Sequence, residues 1–90
     1  MALTIDGFAQ RVRELASRPV RTAEDLAQWQ NAAAQLRAAV APSVADQVPH
    51  FVWHYLADAD IRFRDDRYRA AQDQELVEAL QELTSDERPN

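Results

Sequence analysis

Residues 49 to 69 read PHFVWHYLADADIRFRDDRYR, and the way this stretch is divided decides the fold. On a helical wheel of about 100° per residue, Val44, Val48, Phe51, Val52, Tyr55, Leu56, Ala59 and Phe63 share an arc of roughly 140°, the width of a core-facing stripe. The opposite side of a surface helix is normally polar. Here it carries Trp53, accompanied by His50, His54, Ala57 and Ile61, so the segment has two apolar or aromatic faces. Arg62 falls in the middle of the core arc, which predicts that the helix ends before it, because an unpaired charge is costly to bury.

Upstream, a helix begun at a Ser43 cap would meet Pro49 about six residues in, where proline removes a backbone hydrogen bond at a cost of roughly 3 kcal/mol. A break at Val48-Pro49 is expected, with a short turn over 43–48 and Pro49 opening the main helix at its first position. The segment IRFRDD then shows no helical stripe until Asp65 or Asp66 caps a last helix, whose apolar side is Tyr68, Leu76, Ala79, Leu80 and Leu83.

Towards the N-terminus, Ile5, Phe8, Val12 and Leu15 recur at steps of three and four and predict a helix that Arg18-Pro19 ends. Thr22 followed by Asp25 reads as a capping-box-like start. The stripe Leu26, Trp29, Ala33, Leu36 and Val40 continues from it, with Ala32, Ala34, Ala38 and Ala39 alongside to admit a close neighbour, until Ala41-Pro42 stops it. The expectation is one all-α domain over 1–90, a four-helix bundle with helices at about 5–17, 22–41, 43/49–60 and 65–83. The 49–60 helix is expected to be central, and the polar tail 84–90 to fray.

Composition agrees with this architecture. The 90 residues are 47% hydrophobic and 28% charged, with one glycine and four prolines, which suits a small globular helical domain better than a turn-rich β-fold. The ten basic residues are all arginine, which together with abundant alanine matches the coding bias of a GC-rich genome and suggests a bacterial source. A net charge of −5 argues against a polyanion such as nucleic acid as partner. Without cysteine there is no disulfide, thiolate nucleophile or cysteine-based zinc site. No signal-peptide pattern or long apolar run occurs, so a soluble cytoplasmic protein without membrane contact is expected.

The two faces of the 49–60 helix admit three explanations. The second face, Trp53, His50, His54, Ala57 and Ile61, packs within the chain, forms an interface with a protein partner or a second copy, or lines a ligand site. His50 and His54 lie one turn apart and Asp58 continues the row, a spacing by which helices present metal ligands. At about 1.5 Å rise per residue, however, His50 and Asp58 are roughly 12 Å apart along the axis, so one ion reaches two of the three.

Arg62, Arg64, Arg67 and Arg69 against Asp65 and Asp66 form the one basic island, suited either to an anion or nucleic acid or to a solvated turn whose charges pair across helices. The row Asp73, Glu75, Glu78 and Glu82 is spaced to imitate a phosphate backbone, or simply to be solvated. Serines and threonines fall where helices start or stop, no glycine-rich phosphate loop occurs, and no nucleophile stands beside a base. No enzyme activity and no cofactor are expected. The functional expectation is a non-enzymatic protein–protein interaction or regulatory module, homodimeric or bound to a protein partner. The alternatives are metal or ligand binding through His50 and His54, and anion or nucleic-acid binding through the 62–69 arginines.

Overall fold

A computed structural model describes residues 3–85. The domain is all-α: α1 (Ile5–Ser17), α2 (Ala23–Ala39), α3 (Pro42–Ala45), α4 (His50–Ala57), α5 (Ala59–Arg64) and α6 (Asp66–Ser85). The helix starts follow local capping chemistry. Thr4 accepts from Gly7 N at 3.0 Å and Thr22 from Asp25 N at 3.0 Å, while the Asp25 carboxylate takes Arg21 N at 3.1 Å. Asp65 Oδ1 accepts from Arg67 N at 3.0 Å and Tyr68 N at 3.1 Å, satisfying donors that the first turn of α6 leaves without intrahelical partners.

Four helical units close into a ring, with α1 packing on α2 and α6, and α4 with α5 packing on the same two helices from the other side. The interior receives Phe8, Ala9, Val12 and Leu15 from α1, Trp29, Ala33 and Leu36 from α2, Val52, Tyr55 and Leu56 from α4, and Leu76 and Leu80 from α6. The Trp29 indole N–H donates to the carbonyl of Leu15 at 2.8 Å, where α1 runs out of intrahelical donors, and so ties the end of α1 to the middle of α2.

Several expectations change. Ser43 does not cap the third helical segment: Ala41 stands at the N-cap and Pro42 opens α3, its missing N–H costing nothing at that position. Pro49 is the residue before α4 rather than its first member. Ala34, Ala38 and Ala39 are exposed. The 49–60 helix is not central but forms one side of the ring. It also stops at Asp58 and resumes at once as α5, in place of the irregular IRFRDD segment. Helix α6 extends to Ser85, two residues beyond the expected end, and the rest of the expected polar tail, 86–90, lies outside the described residues.

The second face of α4 is partly covered by the chain's own side chains. The half-buried Trp53 ring lies 5.4 Å from Phe8, centroid to centroid, and the Arg37 guanidinium sits 6.0 Å over it. Trp53→Ser is therefore expected to lower stability to urea by about 2 kcal/mol, since a half-buried aromatic loses part of the roughly 3–5 kcal/mol of a full core truncation. A change under about 0.5 kcal/mol, the scale of surface substitutions, would show that this packing contributes little.

An arginine-floored cleft as candidate functional site

The break at Asp58 organises the site. Its backbone (φ −98°, ψ 18°) ends α4 and starts α5, with Asp58 N–H donating to His54 O at 3.0 Å. The Asp58 carboxylate caps neither helix. It accepts instead from Tyr68 OH at 2.8 Å and Gln72 Nε2 at 3.1 Å, binding the junction to α6.

Arg62, seven residues after Tyr55, turns inward on the same helical face and is 7% exposed. Its Nη1 donates to the Tyr55 carbonyl, which at the end of α4 has only a long 3.4 Å bond from Asp58 N, and to Gln72 Oε1 at 2.7 Å. The guanidinium carbon lies 3.7 Å from the centre of the Tyr55 ring and 5.0 Å from that of Trp29. Burying such a cation costs several kcal/mol. Two hydrogen bonds to a charged group, at about 1.5–3 kcal/mol each, and the aromatic faces, at up to about 2 kcal/mol, are of the same order. The expectation that the helix must end before Arg62 is thus corrected: the break supplies a carbonyl for the buried charge, and the stack supplies its surroundings.

Arg62 also lies at the floor of a cleft of about 450 Å³ between the end of α1, the turn after it, α5 and α6. Trp29, Tyr55, Val20 and Phe63 give it apolar walls, and Arg18, Arg69 and Asp73 are its other charged members. Burial pushes the Tyr55 phenol up to about 12, with the Arg62 charge opposing the rise and the Asp73 carboxylate adding to it. Burial likewise lowers the Arg62 pKa, against the pull of Tyr55, Asp73 and Asp58. The Tyr68 phenol is raised, chiefly by the hydrogen bond it gives to Asp58.

The sequence-predicted residues separate. Arg62 is not part of a surface island: it is buried, while Arg64 and Arg67 are exposed and line no part of the cleft. Arg69 does line it, and pairs with Asp66 at 3.2 Å. The rings of His50 and His54 lie 5.2 Å apart on the exposed side of α4, but Asp58 is held by Tyr68 and Gln72 and does not join them. Among the described residues no group of three or more histidine, cysteine, aspartate or glutamate side chains converges as a metal site would require. In the candidate interface His50, His54 and Ala57 are exposed, and Trp53 and Ile61 half-buried. In the acidic row Asp73, Glu75 and Glu78 are exposed, and Asp73 belongs to the cleft.

The buried Gln72 was missed. Its signal was the eight-residue gap between Tyr68 and Leu76, which Gln72 bisects at helical spacing. Arg18, Val20 and Trp29 carried no sequence mark of a shared cleft, since the turn after α1 and the middle of α2 meet α5 and α6 there only in the folded chain. An all-α domain with a buried arginine beneath a mixed polar and apolar cleft is the class that the geometry defines. Comparison with protein-family models, curated proteins and solved structures found no match to this chain.

Arg62→Ala is expected to destabilise the domain by about 2–4 kcal/mol in urea, because it opens a cavity, leaves Gln72 Oε1 without its donor and leaves the Tyr55 carbonyl only the long bond from Asp58 N. Tyrosinate absorbance should report Tyr55 ionising near pH 12. The folded chain holds that proton more tightly than an unfolded phenol of pKa 10, so the stabilisation is complete below pH 10 and is lost as pH climbs towards 12. In Tyr55→Phe both the late titration step and this part of the alkaline loss should disappear.

Proposed function

We propose that this chain is a non-enzymatic binding module of the bacterial cytoplasm whose recognition site is the Arg62 cleft, and that it binds a small anion there. The observation that carries the reading is a charge met only in part: Arg62 feels Asp73 and Asp58 but forms no ion pair with a described residue, and the cleft lining holds three arginines, of which Arg69 pairs with Asp66, against one aspartate. In a chain of net charge −5, this local excess of positive charge favours an anion at close range while the overall charge disfavours an extended polyanion.

The absence of histidine from the cleft lining supports a binding rather than a catalytic role, as does the engagement of Ser17, whose hydroxyl donates to Glu14 O at 2.9 Å. No helix among the described residues is long and apolar enough to cross a membrane. A second reading, self-association or a protein partner at the His50, His54 and Ala57 strip, is favoured by the exposure of two imidazoles in edge-to-face contact there. Sedimentation across concentration tests it: a mass that stays monomeric removes the homodimer.

For the anion reading, inorganic phosphate and acetate are expected to bind in calorimetry at low salt and to raise the unfolding midpoint, with affinity falling as sodium chloride is added. Arg18→Ala and Arg69→Ala should each weaken binding several-fold. Heats and midpoints indifferent to both anions would remove the reading.

A further inference from the structure

Resting on the anion reading of the cleft, the free edge of the Arg62 guanidinium says which anion fits. Nη1 is committed to the Tyr55 carbonyl and Gln72. Nε and Nη2 donate to no described residue, yet no buried side-chain nitrogen or oxygen is left without a partner. These two nitrogens are therefore not sealed off, and Arg62 lines the cleft. They form the side edge of the guanidinium, whose two parallel N–H bonds match the two oxygens of a carboxylate. The group is also held from moving, with its plane stacked on Tyr55 and its end pinned to α6 through Gln72.

The walls supply the second half of the argument. Val20, Trp29 and Phe63 line the same cleft, the last 39% exposed although it is a large apolar side chain. A volume of about 450 Å³ lies in the range of small-molecule pockets. We infer that the cleft takes a small organic carboxylate with an apolar, ring-sized body: the carboxylate lies side-on against Nε and Nη2 of Arg62, and the body against Trp29 and Phe63. Arg18 and Arg69 add positive charge to the lining, and the Asp73 carboxylate disfavours a second negative group, so a monocarboxylate is favoured over a dicarboxylate.

The test is calorimetry on the full chain at low salt with phenylacetate, phenylacetamide and inorganic phosphate. Phenylacetate should bind, with phenylacetamide and phosphate each at least about tenfold weaker, since the amide lacks the charge and phosphate the apolar body. Arg62→Lys should lose about tenfold for phenylacetate, because a point charge replaces the fork. Should that variant fail to fold, Ala70→Trp serves instead. Ala70 is an exposed residue of α6 that lines the cleft, and a tryptophan there should fill the space and abolish phenylacetate binding with helicity unchanged. Phosphate binding as tightly as phenylacetate would overturn the carboxylate assignment and leave the anion site standing. Equal binding of the amide would overturn it as well, as would undiminished binding to folded Ala70→Trp. Failure of every anion to bind would remove the cleft reading itself.

Discussion

Burial of the Arg62 guanidinium is the constraint on which the rest of the structure depends. A cation is tolerable there because a helix has just ended, where a carbonyl such as that of Tyr55, held by a single long bond from Asp58 N, has capacity to receive it. The break at Asp58, the inward turn of α5 and the polar pairing with Gln72 on α6 are consequences of that one requirement. Tyr68 and Gln72 in turn hold the Asp58 carboxylate, so the break is fastened to the longest helix of the domain. The apolar ring of helices supplies the stability, and the polar junction fixes how α4, α5 and α6 meet.

The same arrangement accounts for the site. An arginine that had found a carboxylate partner would be a closed structural unit. Arg62 spends one terminal nitrogen on neutral acceptors and lines the cleft, so its charge is met by the protein only in part. Aromatic faces on Tyr55 and Trp29 hold the plane of the group without neutralising it. Rigid placement and incomplete pairing together are what a recognition group needs, because little order remains to be lost on binding.

Much of the fold was legible because it rests on period. The stripes through Phe8, Val12 and Leu15 and through Trp29, Ala33 and Leu36 are buried as the spacing requires, and the caps at Thr22 and Asp65 act where their side chains predict. The wheel also placed Arg62 in the core arc. What failed was the assumption that a charge at such a position terminates the helix, since wheel geometry carries no knowledge of the carbonyls and amides a neighbouring helix will offer. Phe63, which the wheel also gave to the core, is 39% exposed and lines the cleft, while Ala59 and Arg62 on the same arc are buried. The cleft was not legible, for it joins Arg18, Trp29, Arg62 and Asp73 from four places in the chain. The site reading from spacing along one helix, His50 with His54 and Asp58, could not register that Asp58 is engaged on the other side.

The most direct measurement is the nuclear magnetic resonance signal of the Arg62 Nε–H group, assigned by its loss in Arg62→Lys. Stacked on Tyr55 and beside Trp29, this proton should show ring-current displacement and cross-relaxation to the protons of both rings, apart from the other arginines of the chain. An Arg62 signal that coincides with those of solvent-exposed arginines, without contact to either ring, would contradict the account.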